Sequence, residues 1–156
     1  MTQAIAIIVA EYLFLLPVLV GSIYFLLQPL DVKKNMVIFS VIVLPVTVFL
    51  LLILNQIYDN PRPDVVLGFS PFLKDHFFSN GFPSSHATLT ALIAIVLYVF
   101  NRKIGLFLLI ISIFISLARV YLGLHHLVDI IGGTLLAIIV TVMVQNILRK
   151  HTSLEI

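Results

Sequence analysis

Three short stretches hold most of the residues in this chain that could do chemistry. They are Asn55-Gln-Ile-Tyr-Asp-Asn-Pro-Arg62-Pro63, Phe82-Pro83-Ser84-Ser85-His86, and Ala118-Arg119-Val-Tyr-Leu-Gly-Leu-His125-His126-Leu-Val-Asp129. Arg62 and Arg119 carry planar, permanently charged forks that suit phosphate oxygens. Pro83 suits the first turn of a helix. Ser84 and Ser85 beside it offer hydroxyl and backbone N–H donors where a helix dipole favours an anion. The i, i+4 spacing of His125 and Asp129 predicts one shared helix face. An aspartate that accepts a hydrogen bond from one ring nitrogen fixes the tautomer and leaves the other free to attack. His86 is the remaining candidate for protonating a leaving oxygen. These residue types suit attack on a bound phosphate.

The elements that must position them are apolar. Of 156 residues, 61% are hydrophobic and only 10% are charged, against about 25% charged in a soluble domain. A small soluble protein needs far more polar cover, so composition excludes a soluble globular domain, a disordered chain and a nucleic-acid binder. The absence of cysteine removes disulfides and thiolate chemistry. A membrane-crossing helix needs about 20 mostly apolar residues. Five segments qualify: about 4–27, 35–54, 83–100, 104–122 and 127–148. None alternates as a barrel strand does. The first has no basic leader or cleavage site and reads as a retained helix. The expected fold is one all-α domain, residues 1–156, a polytopic membrane bundle of about five transmembrane helices.

Pro17 and Pro45 lie inside spans one and two, where proline usually kinks a membrane helix. Gly132, Gly133 and Ala137 give span five a small-residue face, and Ser112 and Ser116 do so for span four, as close packing requires. Connections are short at 28–34, 101–103 and around Gly123. The exception, 55–82, carries Asp59, Arg62, Asp64, Lys74, Asp75 and His76, and a long polar loop in a small bundle points to function. Residues 71–78 read as an amphipathic interfacial segment. Lys33, Lys34, Arg102, Lys103, Arg149 and Lys150 fall on one side of five spans, and only Arg62, Lys74 and Arg119 on the other. The basic side is cytoplasmic by the positive-inside rule, so the three stretches face outward.

Taken together, the three stretches resemble the motifs of the type 2 phosphatidic acid phosphatase (PAP2) superfamily: Lys-x6-Arg-Pro, Pro-Ser-Gly-His and Ser-Arg-x5-His-x3-Asp. Here they read Asn55-x6-Arg62-Pro63, Pro83-Ser84-Ser85-His86 and Ala118-Arg119-x5-His125-x3-Asp129, in order and in register. The resemblance implies a phosphatase with no metal and no other cofactor. His125 would form a phosphohistidine, Asp129 would orient it, and His86 would protonate the leaving group. Arg62, Arg119, Ser84, Ser85 and Asn55 would hold the phosphate oxygens. Three positions depart from the pattern. Asn55 stands for the lysine, Ser85 for the glycine and Ala118 for the serine. Many members also have six core helices, one more than the spans counted here.

The wording around the motifs is most similar to the bacterial undecaprenyl-diphosphatase branch. That implies a polyprenyl diphosphate substrate met outside the plasma membrane, with phosphatidylglycerophosphate or phosphatidic acid as alternatives. The rival classes are a vanadate haloperoxidase, which five spans oppose, and a small transporter, which polar residues gathered at one face oppose. The expected partners are a lipid phosphate and the membrane, with no nucleic acid, and a homo-oligomer stays open. His126 reads as a rim or structural residue, Tyr58 and Tyr121 as interfacial aromatics, and Lys74 and His76 as solvated. Asp59 and Asp64 flank Arg62 and read as paired or solvated. Glu11 lies about seven residues into span one, roughly 10 Å deep at 1.5 Å per residue, where a charge is costly. It is expected to face the substrate cleft.

Overall fold

The computed structural model describes residues 2–68 and 80–151. Lys74, Asp75, His76 and the 71–78 segment lie outside the described residues. The described residues form seven helices: α1 (Gln3–Glu11), α2 (Leu15–Leu27), α3 (Leu30–Ile57), α4 (Pro63–Leu67), α5 (Ser85–Phe100), α6 (Arg102–Tyr121) and α7 (Leu127–His151). Four stretches are long and apolar enough to cross a membrane: Gln3–Leu27, Leu30–Ile57, Arg102–Tyr121 and Leu127–His151. The fifth expected span is α5, only 16 residues long. The chain is an all-α membrane bundle.

The first span is broken where a kink was expected. Pro17 has no N–H to give the Leu13 carbonyl, and its ring crowds that carbonyl. Leu16 N–H bonds Leu13 O instead (3.0 Å) and Leu15 N–H bonds Tyr12 O (3.1 Å), so the chain tightens for three residues between α1 and α2. Pro45 interrupts nothing, and α3 runs through it for 28 residues. That helix starts at Leu30 rather than near residue 35, which shortens the expected 28–34 connection to Gln28 and Pro29. Lys33 and Lys34, read from the sequence as loop, sit in its first turns, where long basic side chains can reach out of the bilayer.

Helix α5 is the axis of the bundle, wedged between α6 and α7 and touching α2 and α3. Its hairpin with α6 is tight because Gly105 lies against the Tyr98 backbone. Asn101 caps α6, its Oδ1 accepting from Lys103 N and Ile104 N at 3.1 Å each. On the α7 side, a Cβ at Gly133 would stand 2.5 Å from Thr88 Oγ1 and 2.8 Å from Ser84 O. The small-residue face of span five is thus where α5 and α7 close on each other. Ser112 of span four meets Thr90 of α5 at 2.8 Å. Phe39, Val43, Ala91, Ile95, Ala137 and Val144 fill the core between α3, α5 and α7. Leu19, Phe49, Phe114, Ile139 and Met143 point outward and exposed, as side chains bathed in lipid do.

Helix directions divide the bundle into two ends. The end of α3, the start of α5, the end of α6, the start of α7 and the α1–α2 break meet at one of them. The six basic residues from Lys33 to Lys150 mark the other, where Tyr24 Oη also donates to Phe100 O at 3.4 Å.

Candidate active site

The turn into α7 sets the first part of the site. His126 precedes the helix, and its N–H donates to Asp129 Oδ2 at 2.8 Å. This is the reach-back half of a capping box, with the carboxylate three residues into the helix. His125 therefore lies outside α7, and the predicted shared helix face is replaced by a contact across the cap. His125 Nδ1 stands 3.5 Å from Asp129 Oδ2 and closer, at 3.0 Å, to the Gly81 carbonyl oxygen. A carbonyl only accepts, so Nδ1 carries the proton. Nε2 is then the unprotonated nitrogen, buried and without a hydrogen-bond partner among the described residues. Burial pushes the His125 pKa below the ordinary 6.5. The hydrogen bond to Asp129 opposes this, and the charges of Arg119 and Arg62 lower it further. The ring is neutral at neutral pH.

Asp129 is fully buried and held on both oxygens, because Asn60 Nδ2 donates to Oδ1 at 2.6 Å. Its backbone carbonyl also accepts from Ser84 N at 3.1 Å, which ties the start of α5 to the start of α7. Ser84 is the N-cap of α5, and its Oγ accepts from Ala87 N at 3.4 Å. Pro83 therefore stands before the cap, not in the first turn as expected. Ser85 and His86 open the helix, whose first N–H groups have no intrahelical acceptor. The His86 ring packs edge-on against Phe14, centroids 5.9 Å apart.

Both arginines are drawn inside. Arg119 is 0% exposed, and its Nη1 donates to the Ala10 carbonyl at 3.4 Å. Arg62 is 5% exposed and caps α4. Asp64, expected to be paired or solvated, is buried, with Oδ1 unpartnered among the described residues. Asn55 donates from Nδ2 to the Phe82 carbonyl at 2.9 Å, which leaves one N–H of that amide. Glu11 is half-buried at the end of α1, between the Ala10 carbonyl that Arg119 takes and the Phe14 ring against His86. The α1–α2 break thus stands level with the motif residues. His126 Nε2 lies 3.1 Å from Pro61 O, so its ring joins the α3–α4 connection to the turn before α7.

Sequence reasoning missed the segment 80–82. Asn80 pairs with Pro61 as an isolated antiparallel bridge, and Gly81 N donates to Asn60 O at 3.0 Å. A Cβ on Gly81 would stand 2.9 Å from Asn60 O and 3.0 Å from Asp129 Oδ2, so only glycine brings this carbonyl to the histidine. An Asn-Gly pair in a loop reads simply as a turn. Among the described residues the bundle carries two cavities, and the smaller lies at the site. One of about 420 Å³ is lined by Pro63, Tyr121, Gly123, His125 and His126. The larger, about 620 Å³, is an apolar groove between α2, α3 and α5, with Pro17, Phe25, Met36, Leu92 and Val96 among its walls. Among the described residues no group of three or more His, Asp or Glu side chains could hold a metal ion.

The PAP2 superfamily pattern matches residues 34–153. The chain is 27% identical over 139 residues to a protein of Bacillus licheniformis named bacitracin transport permease protein BcrC, covering 89% of this chain and 68% of that one. It is 33% identical over 88 residues to undecaprenyl-diphosphatase BcrC of Bacillus subtilis, covering 56% of this chain and 45% of that one. The chain thus spans between about half and two thirds of the length of these relatives. No solved structure gives a significant match.

Proposed function

The chain belongs to the PAP2 superfamily, and from that membership we propose that it is a membrane lipid phosphatase acting on a polyprenyl diphosphate, undecaprenyl diphosphate above all. His125 Nε2 attacks the terminal phosphorus. A P–N bond forms as the bond to the bridging oxygen breaks, and His86 gives that oxygen a proton. Water then attacks the phosphohistidine, returns a proton to His86 and releases phosphate. Arg62, Arg119, Ser84, Ser85 and the remaining N–H of Asn55 hold the peripheral oxygens, where charge must be stabilised. Glu11 lines the cleft beside Arg119. The observation that carries this reading is the His125 ring: Nδ1–H is spent on Gly81 O and Asp129, and burial keeps Nε2 a free base.

The apolar groove gives the reading its substrate class. Pro17 at its upper end is three residues from Phe14, which touches His86. Leu92 lies six residues below His86 on α5, about 9 Å at 1.5 Å per residue. A phosphate at the helix ends would leave its hydrocarbon tail along this groove. The undecaprenyl-diphosphatase name of one relative favours a polyprenyl tail over the diacyl tails of phosphatidylglycerophosphate or phosphatidic acid. The six-to-three division of Lys and Arg supports a motif end outside the plasma membrane.

The transport name of the other relative supports a second reading, a permease. Against it, hydroxyls deep in the bundle are turned back on their own helices: Thr47 on Val43 O at 2.8 Å and Thr141 on Ala137 O at 2.7 Å. Both hydroxyls are thereby spent on backbone and not offered to a path.

Purified protein should release phosphate from undecaprenyl diphosphate with EDTA present, and H125A should reduce this to background. Acid-labile, base-stable label on the protein after a rapid quench should mark the phosphohistidine. Full activity in H125A sinks the mechanism, and flux across liposomes without phosphate release favours the permease. An E11Q variant with unchanged turnover and pH profile removes Glu11 from the cleft.

A further inference from the structure

The nucleophile's proton-bearing nitrogen lies between two acceptors, the Gly81 carbonyl at 3.0 Å and the Asp129 carboxylate at 3.5 Å. Neither acceptor holds itself in place. Asn80, 9% exposed, uses every hydrogen-bonding position of its amide. Its Nδ2 donates to Asn55 O (2.7 Å) and Tyr58 O (2.6 Å), and its Oδ1 accepts from Asn60 N (2.8 Å) and Phe82 N (3.2 Å). Two carbonyls on one side and two N–H groups on the other permit a single orientation of that amide. The result is a staple between the end of α3 and the residues on either side of Gly81. Asn60, hung on the same staple through its N–H, turns its own amide to Asp129 Oδ1 at 2.6 Å. A carboxylate only accepts, so this amide too has one orientation.

We propose that Asn60 and Asn80 are positioning residues for His125, Asn80 setting the Gly81 carbonyl and Asn60 setting Asp129. The proposal rests on His125 being the nucleophile. Asn80 is fully occupied by backbone, and Asn60 gives a side-chain N–H to Asp129, so the two are assigned to the frame of the histidine. Their loss misaligns the imidazole in the transition state and leaves substrate binding alone, so kcat falls while KM stays. The two act through different acceptors, and that makes them separable. Asn60 works through Asp129 and has nothing to hold once that carboxylate is gone. Asn80 works largely through Gly81 and still matters without Asp129.

The test is a double-mutant cycle on undecaprenyl diphosphate hydrolysis. N60A should lower kcat about tenfold, within the range for coupled hydrogen-bonded neighbours, and should add nothing in a D129A background. N80A should lower kcat in both backgrounds. Multiplicative losses from N60A and D129A, or a loss confined to KM, overturn the assignment of Asn60. An N80A effect that vanishes in D129A overturns that of Asn80. N60D keeps the volume and serves if N60A does not fold. Its new carboxyl can donate to Asp129 only when protonated, so its activity relative to wild type should rise as pH falls. A flat ratio counts against the proposal, because a merely structural asparagine predicts one. If wild type is active and H125A is not, a wild-type-like N60A overturns this inference alone. If wild type releases no phosphate, the phosphatase reading fails first.

Discussion

Polar groups are handled in opposite ways at the two depths of this bundle. In the apolar midsection three buried threonines close on their own helices one turn back, Thr47 on Val43, Thr90 on His86 and Thr141 on Ala137, and Thr90 also meets a second helix, at Ser112. At the motif end the partners are distant in sequence: Asn60 with Asp129, His125 with Gly81, Asn55 with Phe82, Arg119 with Ala10. Thr47 and Thr141 are locally solved, so each could be replaced without disturbing another helix. The site is solved collectively, and every member depends on elements that the chain brings together only when the bundle closes.

This difference can be broken experimentally, and the largest effect belongs to the site. Arg119→Ala removes the proposed phosphate donor and the tether to Ala10 together. Phosphate-release assays should show kcat reduced by about 10²–10³, the usual loss for one transition-state donor. Activity near wild type would mean that the site is less interdependent than its contacts suggest. Gly133→Ala comes next, because its methyl meets Thr88 and the Ser84 carbonyl. Overpacking of this kind costs about 1–3 kcal/mol. It should appear as a lower thermal midpoint in detergent together with lost turnover, since the same contact locates the start of α5.

A more gradual effect follows pH. As the proposed nucleophile, His125 must be unprotonated, and burial holds its pKa below 6.5. The acid limb of kcat/KM should therefore fall below 6.5, with activity lost as pH drops through it. Stability moves the same way. The unfolded ring binds a proton more readily than the folded one, so stability declines from about pH 6.5 downward until the folded ring is also protonated. An acid limb at or above 6.5 would place the ring in a wetter setting than Gly81 and Asp129 give it. The smallest effect is expected at Thr141→Val, where a self-bonded hydroxyl should be worth about 0.6 kcal/mol, the average for a side-chain hydrogen bond in a membrane bundle. A large loss there would erase the distinction between the two depths.

What could be read in the sequence follows the same division. Apolar run lengths mark the membrane elements, and Arg62, His86, Arg119, His125 and Asp129 stand out because ionisable residues are scarce in such a chain. The break before Pro17 is harder, because a proline in an apolar span signals a kink and a break alike. Whether Leu13 and Tyr12 find new donors depends on packing. The early start of α3 was hidden by Lys33 and Lys34, whose charge reads as loop although their stems suit a helix end. Asn60 and Asn80 were invisible for a deeper reason. Asparagine beside Pro or Gly is ordinary turn chemistry, and only contacts spanning 20 to 69 residues separate these two from any other turn asparagine.

The shortness of α5 carries a consequence for the membrane itself. Sixteen residues rise about 24 Å, several ångströms less than a hydrocarbon core of about 30 Å. The central helix, with Ser85 and His86 at its tip, is mismatched to the bilayer while its neighbours are not. Longer helices stand around that tip, so its polar groups lie in a recess that water must enter from the membrane surface. A phosphate on a long prenyl tail would then be met below the average headgroup plane, between protein walls and not in the lipid itself.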